Sequence, residues 1–219
     1  TFRYEKGTPR APRAEESGGG PLAKLGRSSF NDKDLSRAFA EMYRDRLRYV
    51  PEAKCWYAYD GTRWADGMTG GEQIAQRLMK EFSDKLCDAA VAVEDEERRA
   101  KAMKGAARYC QQNARSKLLE DCKSELCSSI SEFDRHDKLF NCLNGTLDLA
   151  SRVFRDHDPA DMLTRVAGCD YDKEAGYAGW TAFLDETLLG DGELVGFMQR
   201  TLGAALAADN SDERFYIAQ

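Results

Sequence analysis

"LFNCLNGTLDLASRVFRDHDPADMLTRV", residues 139–166, interrupts a chain whose apolar residues otherwise recur mostly at helical spacing. Asn144 and Gly145 stand between two short apolar runs. Both residue types accept positive φ, so the pair predicts a two-residue hairpin loop joining antiparallel strands around Cys142 and Leu147. "RVFRDHD" (152–158) predicts a further strand. Asp158-Pro159 then predicts a helical start, with Asp as cap and Pro at the first helical position.

Upstream, "FNDKDLSRAFAEMYRDRLRYV" (30–50) puts Leu35, Phe39, Met42, Tyr43 and Leu47 on one helical face, with Asn31 or Asp32 to cap it. "RYVPEAKCWYAYDGTRW" (48–64) changes period. Trp56, Tyr57 and Tyr59 suit a strand, Asp60-Gly61 a two-residue turn, and Trp64 the return strand. "TGGEQIAQRLMKEFSDKLCDA" (69–89) restores helix, with Ile74, Leu78, Phe82 and Leu86 four residues apart. "EDEERRAKAMKGAARYCQQNA" (94–114) continues in helical composition with a charged face. Ser116 is the expected cap of "KLLEDCKSELC" (117–127), whose stripe is Leu118, Leu119, Cys122 and Leu126.

Beyond the "GCDYDKEAGYAG" loop (168–179) two helices are expected. The first carries Trp180, Phe183, Leu184 and Leu188, and the second Leu194, Phe197, Met198, Leu202 and Leu206. "DNSDE" breaks the pattern and "RFYIA" (214–218) suits a new strand. The sum is an α+β chain, mainly helical, with small antiparallel hairpins.

The formal charge of −6 argues against a strong free-standing nucleic-acid binder. It is unevenly spread: residues 1–27 hold six Lys or Arg against three Glu, leaving the body at −9. "GTPRAPRAEESGGGPLAKLG" (7–26), almost without apolar residues, reads as a flexible basic linker over 1–29. The seven cysteines show no disulfide spacing, which suits reduced thiols in a cytoplasm. No apolar run approaches the roughly 20 residues of a membrane span. A start at Thr1 and a stop at Gln219 inside an apolar run read as cut ends.

Four stretches together resemble one family: "LRYVPEAKCWYAYDGTRW", "LFNCLNGTLDL", "RDHDPADMLTRVAGCDYD" and "FLDETLLGDGELVGFMQRTLGAALAADNSDERFYIA". In order and spacing they are similar to the region that precedes the helicase core of phage, plasmid and poxvirus primase-helicases. Those are superfamily 3 helicases of the AAA+ class. The resemblance implies an accessory α+β domain over 30–172, a helical collar over 173–209, and the start of the first AAA+ core strand at 210–219. It also implies a parent that unwinds DNA in replication with ATP and Mg²⁺ and forms a homo-hexamer; the basic linker is consistent with an upstream primase module, which the sequence itself does not show. This chain contains no G-x-x-x-x-G-K-[ST] loop, so no ATPase residue transfers to it. It is expected to be non-catalytic and monomeric by itself, to position the motor, and to meet single-stranded or forked DNA. Its expected DNA contacts are Arg63, Arg152, Arg155 and Arg165, with Arg10 and Arg13 in the linker.

Three other readings compete. Trp56, Tyr57, Tyr59 and Trp64 would suit base stacking, although such aromatics are more often core. Cys122, Cys127, His136 and Cys142 would suit zinc, but no C-x-x-C or H-x₃₋₅-H pair accompanies them, so packed thiols are expected. "DRHDK" and "RDHDPAD" place a His beside Asp, as a metal-dependent nuclease needs, yet Asp158 is better explained as a cap. The remaining alternative is a helical protein-interaction domain without DNA contact.

Overall fold

Two stripes of apolar side chains at helical spacing organise the main body. In the computed structural model, which describes residues 3–4, 22 and 31–207, helix α1 runs Asp32–Tyr43 and helix α2 Gly71–Val91. Asn31 caps α1, its Oδ1 accepting from the Asp34 amide at 2.8 Å. Leu35, Phe39 and Tyr43 of α1 meet Ile74, Leu78, Phe82 and Leu86 of α2, with Phe39 edge-on to Phe82 at 5.3 Å. Helices α3 (Glu96–Arg108) and α4 (Gln112–Glu125) complete this core through Ala102, Ala106, Leu118 and Cys122. Helix α4 starts ahead of Ser116, which lies inside it: the preceding Gln111 is extended and supplies no side-chain cap.

Between α1 and α2 lies an antiparallel sheet of β2 (Leu47–Val50), β3 (Cys55–Tyr59) and β4 (Trp64–Ala65). Leu47 belongs to this sheet and not to the α1 stripe: the helix ends at Tyr43 and Leu47 pairs with Ala58. The β3–β4 loop has four residues, Asp60–Arg63, because Tyr59 pairs with Trp64. Side chains alternate across a strand. Trp56 and Ala58 therefore enter the helical core, while Tyr57 joins Val50, Trp64 and Phe133 in a smaller cluster. A sheet covered on both sides explains why "CWYAY" lacks an alternating polar face.

Two compact units result. The first holds the elements above and the described residues up to Asp134, with 158–165 returning to them. The second holds 135–157 and 166–207 with Arg3–Tyr4. Its sheet has the order β1-β7-β6-β5, with β1 (Arg3–Tyr4) parallel to β7 (Val153–Arg155) and the rest antiparallel. Strands β5 (Leu139–Cys142) and β6 (Gly145–Asp148) form the expected hairpin, but Cys142 pairs with Gly145, so its loop is Leu143-Asn144.

The one-residue shift has two physical causes. Asn144 keeps negative φ and is clamped to Tyr171, donating from Nδ2 to its carbonyl and accepting at Oδ1 from its amide, both at 2.9 Å. Gly145 takes φ +155, and a Cβ there would stand 2.5 Å from the Arg155 carbonyl oxygen and 2.6 Å from the Phe154 ring. Its glycine serves close approach of β6 to β7 rather than the loop itself.

Helices α5 (Ala178–Thr187) and α6 (Gly192–Ala205) follow as expected, the latter capped by Asp191. The linker over 1–29, except for the residues named, and the "RFYIA" strand lie outside the described residues, so the start of an AAA+ core has no structural support here. Asp158-Pro159 opens only one 3-10 turn, Pro159–Asp161, which ends where Met162 adopts φ +54. Among the described residues no helix is long and apolar enough to cross a membrane.

Candidate functional site

The four-residue corner between β3 and β4 is built around Asp60. Its Oδ1 accepts from the Thr62 amide and hydroxyl at 2.8 Å and from the Arg63 amide at 3.0 Å, while its own N–H donates to the Arg63 carbonyl. Partial burial pushes this carboxyl up, but those donors and the Arg63 charge bring it net below its ordinary value. The corner fixes Arg63, whose Nε lies 3.7 Å from Asp60 and whose Nη1 donates to the Thr164 carbonyl at 3.4 Å.

The 158–165 segment reaches the same corner by pairing with Trp64. The Trp64 amide donates to Leu163 at 2.8 Å and its indole Nε1–H to the Pro159 carbonyl at 2.9 Å. Opposite, Asp134 takes φ +51, donates its amide to the Met162 carbonyl, and accepts from the Thr164 amide at 2.8 Å and from its hydroxyl. A cleft of about 390 Å³ lies between these pieces. Its floor is Tyr57, Trp64 and Phe133, and its polar rim includes Arg63, Arg165, Asp66 and Asp134. Phe133 is tilted against Tyr57 at 4.8 Å and edge-on to Trp64 at 5.7 Å, which keeps the floor rigid.

The rim carboxylates already serve local turns. Asp66 accepts from the Thr69 hydroxyl and amide at 2.8 Å and from the Met68 amide at 3.0 Å; the Thr69 hydroxyl bond foremost holds it below its ordinary value. Asp134 is engaged by Thr164 as described. Arg63 is itself engaged by Asp60 and Thr164; both guanidinium groups are planar and permanently charged, the shape and charge that match an anion such as a phosphodiester.

Of the sequence-derived contacts, the structure brings Arg63 and Arg165 to one cleft. Arg152 and Arg155 belong to the other unit: Arg152 sits exposed at φ +61 in the β6–β7 turn, and Arg155 ends β7, donating to the Asp156 carbonyl at 3.3 Å. Arg10 and Arg13 lie outside the described residues. Base stacking is not available to Trp56, Tyr57 or Trp64, which are buried; Tyr59 is half-buried and its hydroxyl bonds the Gly61 carbonyl. Phe133, Asp134 and Thr164 are among the cleft residues that sequence reasoning missed, as are Asp66, Thr69 and Ile130. The tolerance of Asp for left-handed backbone at 134 is the only local signal the first three carry.

The His-Asp clusters do other work. His157 places Nδ1 2.9 Å from Asn141 Oδ1 and Nε2 3.3 Å from the Leu143 carbonyl, tying the end of β7 to the hairpin loop. Asp158 caps the short 3-10 turn through the Ala160 amide at 2.8 Å, and His136 is exposed. Cys122 is fully buried in the helical core, where burial pushes its thiol strongly up, whereas Cys127 is exposed. Among the described residues no three His, Cys, Asp or Glu side chains are placed to hold a metal ion.

The α5–α6 pair presents a second feature. Its apolar groove of about 610 Å³ is lined by Tyr177, Trp180, Leu202 and Leu206 among others. Leu184 alone of α5 is buried, and α6 buries none of its residues. Trp180 and Phe183 stack at 5.6 Å on this open face.

Comparison with known proteins gives one family. The model described as D5 N terminal like, the N-terminal region of primase-helicase proteins of phage, plasmid and poxvirus type, matches residues 36–189. No curated protein matches the chain.

Proposed function

Because the chain belongs to the D5 N-terminal-like family, we propose that it is the accessory and collar region of a DNA primase-helicase in the replication of a mobile element. It positions an ATP-driven superfamily 3 motor and guides single-stranded or forked DNA toward it. ATP and Mg²⁺ belong to the motor, and the assembled parent is a homo-hexamer. The observation that carries the DNA part of this reading is the cleft that joins Arg63 and Arg165 above an aromatic floor. The open apolar face of α5 and α6 supports the collar part, since exposed apolar surface of this kind marks interaction sites.

Charge sets the expected strength. With the body at −9, phosphate attraction rests on local guanidinium pairs and on the basic residues of 1–27. Few contacts release few counterions, so binding is weak and falls as salt rises. The test is a titration of labelled single-stranded DNA with the full chain and with Arg63→Glu/Arg165→Glu, each at two salt concentrations. Affinity for the variant at least several-fold lower, with a shallower salt slope, is expected. Equal affinity of the two proteins removes the cleft from the reading.

A second reading, a helical interaction domain without DNA contact, is favoured by one observation. The burial of Trp56, Tyr57 and Trp64 takes away the base-stacking surface that single-strand binders use. It requires no measurable DNA binding even at low salt.

A further inference from the structure

Cys87 lies in α2, and Cys110 lies in the turn between α3 and α4. Their sulfur atoms are 3.8 Å apart. The approach is built into the fold rather than made by two mobile side chains. Tyr109, beside Cys110, is 2 % exposed, and its carbonyl accepts from the Ser83 hydroxyl at 2.8 Å, one helical turn before Cys87. Arg115 holds the same turn from the other side, donating to the carbonyls of Tyr109 and Cys110. The Tyr109 hydroxyl adds a bond to Asp32 of α1. Cys110 is exposed and Cys87 half-buried.

We propose that Cys87 and Cys110 form a reversible intramolecular disulfide, a thiol–disulfide modification site that clamps the α3–α4 turn onto α2. The oxidant is a small disulfide such as oxidised glutathione. Exposed Cys110 is the entry point: its thiolate attacks one glutathione sulfur, forming a mixed disulfide and releasing one glutathione thiolate. The Cys87 thiolate then attacks the Cys110 sulfur, forming the protein disulfide and releasing the second glutathione. Two protein thiols lose two electrons, one glutathione disulfide gains them, and both protons pass to the released glutathione thiols. Burial, followed by the contact with Cys110, keeps the Cys87 thiol protonated more than usual, which leaves exposed Cys110 as the first of the two to react.

Among the other cysteines, Cys122 and Cys142 are buried and only Cys55, Cys127 and Cys169 compete for the oxidant. Cys169 lies near buried Cys142, whose thiol is pushed up by burial and then by Cys169, so Cys142–Cys169 is the pair that competes with Cys87–Cys110. The test equilibrates the reduced full chain with glutathione buffers of increasing oxidised fraction, quenches by acid and alkylates. Intact mass and peptide mapping follow. The expected result is loss of two hydrogens with a Cys87–Cys110 cross-linked peptide as the first species to appear, together with a rise in Tm that dithiothreitol reverses. Cys87→Ser, which leaves the entry thiol without its resolver, accumulates one glutathione on Cys110. The proposal is overturned if Cys87 and Cys110 end as separate adducts or free thiols, or if another pair forms first. Because the readout on the unmodified sequence needs no variant, a poorly folding Cys87→Ser does not blunt it.

Discussion

Replacing Gly145 by Ala tests the closest strand approach in the second unit. The added Cβ would meet the Arg155 carbonyl oxygen at 2.5 Å and the Phe154 ring at 2.6 Å, both under any ordinary carbon contact. The ring edge can rotate, but the carbonyl belongs to β7 and moves only if the β6–β7 ladder opens. An L residue held at φ +155 adds about 1–3 kcal/mol of backbone strain. Crowding of a packed site adds about 1–3 kcal/mol more. Loss of glycine's freedom in the unfolded chain returns about 0.4–1 kcal/mol. The net loss is then about 1–5 kcal/mol with a midpoint of about 3, a large share of the 5–15 typical of a domain. Urea unfolding followed by circular dichroism, with thiols kept reduced, should show a midpoint about 1–2 M lower for an m-value near 2 kcal/mol/M. Hydrogen exchange over 139–155 should accelerate most. Gly61→Ala is the control, because Gly61 has φ +114 but nothing within 4 Å of its missing Cβ. If the two variants lose the same stability, crowding against β7 is not what requires Gly145.

Three further outcomes are expected. Gly71→Ala should destabilise the first unit by about 3 kcal/mol or more, because its Cβ would lie 2.1 Å from the Trp56 carbonyl and 2.5 Å from that of Ala65, both backbone; thermal unfolding measures it. Trp64→Phe keeps an aromatic ring but removes the indole donor to Pro159 and leaves part of a buried site empty, so about 2–4 kcal/mol should be lost in chemical denaturation, with the 158–165 segment the first to exchange. Asp66 is held below its ordinary 3.8, so its contribution is present above that pH and disappears as pH falls through the lower folded value. Unfolding titrations below pH 4 should therefore show a steeper acid loss for the native chain than for Asp66→Asn.

Local chemistry made much of this fold readable. The Asn31 cap and the four-residue spacing of Ile74, Leu78, Phe82 and Leu86 need only nearby residues, and both appear as expected. Errors arose where two local solutions were equally good. Leu47 extends the α1 stripe on paper, yet pairing with Ala58 wins because β2 gives β3 a second neighbour. Ser116 has the chemistry of a cap, but its helix reaches four residues further back to Gln112, from which Leu118 and Cys122 still face the core. Asn144-Gly145 announced a hairpin correctly and mislocated its loop, because the demand on Gly145 comes from Phe154 and Arg155 across the sheet. The cleft was half legible. Arg63 and Arg165 were named as contacts, but their meeting depends on Trp64 bonding Pro159 and Leu163, pairings between distant parts of the chain that no periodicity encodes.

The open α5–α6 pair has a kinetic and thermodynamic consequence for whatever comes to rest on it. A helix of 14 residues that buries none of its side chains is near the length at which isolated helices are marginal in water. Its formed fraction then enters directly into recognition: the apparent dissociation constant equals the intrinsic one divided by the fraction of molecules in which the helix exists. A substitution outside the groove lining that raises helical propensity, such as Gly196→Ala, would tighten such an encounter without altering the groove itself. The same pair would shed amide protection early, long before the Phe39–Phe82 core yields.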